Sequence, residues 1–206
     1  VPRRKPFLDW EPFPYLLVIV LLLATGFIRP DAPAWLLWPF LVVLAAAIAY
    51  LGFRFVQERK PANPDRWGDL STLEGLALVD APGEARAVRT VTPVADTGRH
   101  QAAIDLARVQ SGAEQDAVLV PRASRWLSRR YRVGVQLVGA RDAVGVRPRH
   151  AGFLRADAEE RWGGVLDDLR ARGEYVRVPA FIAGASRPYT VELDLSGLER
   201  LEAAAS

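Results

Sequence analysis

The chain has 206 residues, half of them hydrophobic and a quarter charged, with a net charge of +3. It contains no cysteine, which excludes disulfides and thiolate metal sites. The length allows one modest domain and a further segment.

Seventeen uncharged residues, PFPYLLVIVLLLATGFI, lie between Glu11 and Arg29, and twenty-two more, APAWLLWPFLVVLAAAIAYLGF, between Asp31 and Arg54. As helices these runs rise roughly 25 and 33 Å, against about 30 Å for the hydrocarbon core of a bilayer. They predict a transmembrane helical hairpin over residues 1–56, held by membrane lipid. The shorter run needs snorkelling flanks or local thinning. Trp10, Tyr15, Trp35 and Trp38 sit near the ends of the runs, where aromatic rings favour the interface. Arg3, Arg4 and Lys5 precede the first run, and Arg54, Arg59, Lys60 and Arg66 follow the second. The positive-inside rule then places both termini in the cytoplasm of a multi-pass cell-membrane protein. Neither run carries an ion, so the hairpin reads as an anchor rather than a channel.

Residues 57–75 are polar and rich in proline and glycine, and 57–85 read as a linker with a short helix around Leu70 to Leu78. A domain over 86–196 and a tail over 197–206 follow. Within the domain, strands are expected over 85–95, 117–121, 131–138 and 143–147, with 150–154 continuing the sheet. A helix is expected over 96–112. The clearest element is RADAEERWGGVLDDLRARG, residues 155–173, with Ala158, Trp162, Val165, Leu166 and Leu169 on one helical face. Asp157, Glu159 and Glu160 suit its first turn, Arg170 and Arg172 its last, and Gly173 its end. Strands over 175–184 and 189–195 close the domain. The fold class is α+β: a transmembrane helical hairpin, then a small β-rich, barrel-like domain with two helices.

Several pieces carry a resemblance: VLVP (118–121), GFL (152–154), RADAEERW (155–162) with Ala158, VPAFIAG (178–184) and VELDL (191–195). In this order they resemble the HIRAN domain, in its stand-alone bacterial form, over about residues 90–195. The family pattern carries Glu, Asn and Asp after VLVP, whereas this chain has Arg122, Arg125 and Ser128. The resemblance implies an OB-like fold. It also implies recognition of single-stranded DNA ends, as in HIRAN domains fused to DNA-dependent ATPases. No ligand-contacting residue transfers, because the most distinctive motif is the one that differs.

That altered stretch is PRASRWLSRRYRV, residues 121–133, with five arginines and no acid. Residues 121–150 hold eight arginines and one acid, while 151–206 hold seven arginines and ten acids, so the basic surplus is local. Three readings stand. Arg122, Arg125, Arg129, Arg130 and Arg132 meet a nucleic-acid backbone while Trp126, Tyr131 or Phe153 stacks on a base. Alternatively the patch meets an acidic protein or anionic lipid. Or it is a solvated hairpin loop with Trp126 or Tyr131 folded into the core. Catalytic readings are weaker. There is no phosphate-binding glycine loop. His100 and His150 are the only histidines, and Asp167 and Asp168 diverge by about 100° on a helix. No metal and no cofactor is expected. The chain reads as a non-enzymatic binding module, or as a scaffold subunit.

Overall fold

A computed structural model describes residues 4–7, 10, 12–27, 33–58, 70, 72–81, 91–123, 127–140 and 146–205. The chain divides into two compact units. One comprises 1–3, 64–125 and 130–206, and the other 4–63 with 126–129.

The larger unit is built on a seven-stranded sheet. Its strands are β1 (Ala77–Asp80), β2 (Val91–Pro93), β3 (Glu114–Ala123), β4 (Arg132–Gly139), β5 (Arg149–Phe153), β6 (Glu174–Ala183) and β7 (Thr190–Asp194). Six follow the order β2–β7–β6–β3–β4–β5, each neighbouring pair antiparallel. β1 lies parallel to the first residues of β6. Alternate residues of each strand face one side. Ala117 and Leu119, Val133, Val135 and Leu137, Val176, Val178 and Ile182, and Val191 and Leu193 thereby meet in one buried core.

The sheet curls until its two ends meet. The Ala95 amide donates to the Phe153 carbonyl at 2.8 Å, and the Phe153 amide donates back at 3.0 Å. The architecture is α+β around this curled antiparallel half-barrel. Closure depends on Gly152, whose φ of +141° is open to glycine and strained for other residues. A Cβ there would run into the carbonyl oxygen of Ala95. The register shift between Val135 and Gln136, opposite Ala151, supplies the bend that turns β5 toward this contact.

Helices α3 (Gln101–Ser111), α4 (Ala156–Ala171) and α5 (Leu198–Ala205) complete this unit. Asp157 and Glu159 stand in the first turn of α4 and Arg170 in its last, as the helix dipole favours. Its apolar stripe puts Ala158, Trp162, Leu166 and Leu169 into the core. Trp162 is 4% exposed, which makes it a core residue. Leu70, Val118, Val120, Val138 and Tyr175 form a second cluster with Leu73, Leu76 and Leu78. β3 and β4 are therefore covered on both faces, which explains their near-continuous apolar sequence. β1 and Leu70, Leu73, Leu76 and Leu78 of this cluster fall within the stretch read as linker. Of the strand expected over 85–95, residues 85–90 lie outside the described residues. The strand expected over 143–147 does not form at 146 and 147, and 143–145 lie outside the described residues.

The turn between β6 and β7 is clamped to α3. Asp105 accepts from Arg187 at 2.6 Å and from the Tyr189 hydroxyl at 3.0 Å. Gln101 exchanges two hydrogen bonds with the Tyr189 backbone, and Arg108 donates to Ala185 O while its guanidinium lies over the Tyr189 ring. The Arg187 and Tyr189 hydrogen bonds hold the Asp105 carboxyl below the usual carboxylate range.

The smaller unit contains α1 (Phe13–Phe27) and α2 (Ala34–Glu58). These helices correct the expected membrane hairpin: among the described residues, no helix is long and apolar enough to cross a membrane. α1 has 15 residues, about 22 Å of rise, against the roughly 30 Å required. α2 has 25 residues and contains Pro39. The multi-pass cell-membrane placement, the lipid-held anchor and the assignment of both termini to the cytoplasm rested on two complete spans and fall with them. Both helices expose large apolar side chains, among them Ile19, Leu22, Trp38 and Val42.

Replacing Gly152 by Ala should cost about 2–4 kcal/mol, the range of a strained backbone combined with overpacking. Gly164→Ala on the exposed face of α4 meets nothing within 4 Å. It should stabilise by about 0.5–1 kcal/mol through helix propensity. Urea denaturation of both variants checks the pair. For Asp105 the folded pKa is depressed, so its contribution is present above the ordinary carboxylate range and is lost as pH falls through the folded value. The stability difference between the native chain and Asp105→Asn should shrink as pH drops from 6 toward 3, measured by thermal unfolding.

Candidate functional site

The site suggested by the sequence is the connection between β3 and β4. β3 ends in a register shift between Val120 and Ala123, and Arg122 takes a left-handed conformation there, with φ of 59°. That turns its side chain outward, half exposed, where it meets Asp167 of α4 at 3.3 Å. Arg129 and Arg130 are exposed and Tyr131 is half-buried. Arg125 and Trp126, two of the expected contacts, lie outside the described residues.

Arg132 has a different surrounding. Its Nε donates to both oxygens of Glu159, at 2.8 and 3.0 Å, and its Nη2 donates to Leu154 O at 2.7 Å. Glu159 also accepts from the Val133 amide at 2.8 Å. Both side chains are largely shielded, 23% and 17% exposed. The carboxylate sits in the first turn of α4, where the helix dipole favours it. Arg132 thus ties the start of β4 to the start of α4, a charge-assisted pairing stronger than a neutral hydrogen bond.

Phe153 lies beneath this clamp. Its ring carries the Arg132 guanidinium at 5.2 Å from the centroid and the His150 ring at 5.1 Å, edge on. It is 6% exposed, so neither face offers a base a place to stack. His150 continues the row to His100, with ring centroids 4.4 Å apart, and its Nδ1 is 2.9 Å from Nε2 of the fully buried Gln136. The expected set therefore separates. Arg122, Arg129 and Arg130 are presented to solvent, Tyr131 half so, and Arg132 and Phe153 are built into the fold. Glu159, His150 and Gln136 were not anticipated. Their partners lie 14 to 27 residues away, and no local pattern pairs them.

A second surface feature has the opposite charge. Glu114 and Asp116 of β3 and Glu192 and Asp194 of β7 flank Pro179 and Phe181 of β6 around a groove of about 280 Å³. Among the described residues, no group of three or more His, Asp or Glu side chains could hold a metal ion.

Arg132→Ala leaves Glu159 shielded with its guanidinium partner gone and should destabilise the fold by about 1–3 kcal/mol. Arg132→Lys should recover only part of that, since an ammonium cannot span both carboxylate oxygens and Leu154 O together. Urea midpoints of the two variants test the difference. No family model matches the chain, no curated protein matches it, and no solved structure matches it.

Proposed function

We propose that this chain is a non-catalytic, HIRAN-like binding module that takes single-stranded nucleic acid on its β3–β4 connection. The observation that carries the reading is the exposure of Arg122, Arg129 and Arg130 on that one connection. Planar guanidinium forks suit phosphate oxygens, and the same groups stack on bases. Arg132 and Phe153 support the site rather than touch the ligand, because each is already committed to internal partners. Base stacking then falls to Tyr131 and Trp126.

A second reading, an acidic protein partner, draws on one specific observation. The burial of Phe153 removes a stacking platform, and Arg122 already pairs with a carboxylate. An acidic partner needs no ring.

Fluorescence anisotropy with a labelled oligothymidylate, an equivalent duplex and polyglutamate separates the two. The nucleic-acid reading expects tightest binding to the single strand. Affinity should fall with salt, by about 0.7 in log–log slope per phosphate contacted. Arg129→Ala with Arg130→Ala should weaken binding roughly tenfold at low salt and flatten the slope by about 1.4. Binding of polyglutamate alone would replace this reading with the acidic partner.

A further inference from the structure

The groove on β3, β6 and β7 has an apolar floor between two rows of acids. Antiparallel pairing sets Phe181 of β6 directly between Glu114 of β3 and Glu192 of β7, and paired residues project from the same face of a sheet. Phe181 is 36% exposed there. In the next row Pro179 stands opposite Asp116, and Asp194 opposite Val91, which is 41% exposed. All of these residues line the groove.

The two aspartates have partners within the fold. Asp116 lies 4.0 Å from Arg177, which also bonds Asp80 at 2.6 Å, and Asp194 accepts from the amide and the hydroxyl of Ser196. Among the described residues, neither Glu114 nor Glu192 has a hydrogen bond or an ion pair. The strands that carry these glutamates lie roughly 10 Å apart, with the Phe181 strand between them. An arginine side chain suits that arrangement. Its planar group stacks on an aromatic face and carries N–H donors on both sides, whereas a lysine ammonium is a compact point charge. Pro179 and Val91 offer apolar ground for its methylene stem. Against a net charge of +3, the groove is a local concentration of negative charge, complementary to such a side chain. Alternate residues of an extended chain lie about 6.8 Å apart, the same repeat that separates Phe181 from Pro179. Arginines at alternate positions of an extended segment therefore match both rows.

We propose that this groove docks an extended, arginine-bearing segment of a partner protein, with a guanidinium over Phe181 between Glu114 and Glu192. The inference is independent of the nucleic-acid reading.

Fluorescence anisotropy of a labelled octapeptide of alternating arginine and serine, titrated with the full chain, tests it. Glu114→Gln with Glu192→Gln keeps side-chain size, and should weaken binding about tenfold or more and flatten its salt dependence. Phe181→Leu keeps the floor apolar and should weaken binding about two- to fivefold, the factor of an exposed cation–π contact. Glu160→Gln with Asp168→Asn removes the same charge from α4 and should leave the affinity unchanged. Absence of peptide binding by the native chain overturns the inference, and so does equal weakening in the α4 pair, which would reduce the attraction to bulk charge. Displacement of the peptide by an equimolar amount of spermidine assigns the groove to a small polycation. Self-association of the native chain that the Glu114 and Glu192 substitutions abolish assigns it to a second copy. Either result overturns the partner segment.

Discussion

The fold depends on one contact, the paired hydrogen bonds between Ala95 and Phe153. Without them β2 and β5 would be the two open edges of a curled sheet, and open edges expose unpaired amides and carbonyls. With them, residues that begin and end the strand order become neighbours. Gly152 makes the contact possible, since its backbone conformation and the close approach of Ala95 both disfavour a side chain. The contact also places Phe153 where Arg132 and His150 can pack on it.

From there the arginines divide by surroundings rather than by sequence position. Arg132, one residue from the exposed stretch, is drawn inward because Glu159 sits in the first turn of the following helix. Arg122 is turned outward by its left-handed backbone. Arg129 meets Phe7 through residues that precede α1. The four described arginines of the run are thus of two kinds, a structural clamp at Arg132 and exposed cations at Arg122, Arg129 and Arg130, of which Arg129 also lies over the Phe7 ring. The functional reading rests on the exposed ones. The groove lined by Glu114, Asp116, Glu192 and Asp194 carries the opposite charge.

The sequence made some of this legible. The stripe of Ala158, Trp162, Leu166 and Leu169 has helical spacing and forms α4. The alternation of Val191 and Leu193 with polar neighbours forms β7. Other features left no local trace. β1 is four residues, two exposed and two half-buried, inside the stretch read as linker, and its pairing with β6 joins positions about a hundred residues apart. The Arg132–Glu159 pair and the Ala95–Phe153 closure are likewise long-range. The first uncharged run misled for a geometric reason: absence of charge counts residues, while a span requires helix length, and α1 keeps 15 residues of its run. At the candidate site the excess of arginine was visible, but which arginines face solvent was set by partners distant in the chain.

The most direct test of closure is amide hydrogen exchange in the native chain. If the joined ends hold the half-barrel together, the amides of Ala95 and Phe153 should exchange only through global unfolding, as slowly as Val176 and Val178 in the middle of the sheet. Exchange of Ala95 and Phe153 at the rate of an open edge, while Val176 and Val178 stay protected, would contradict the account.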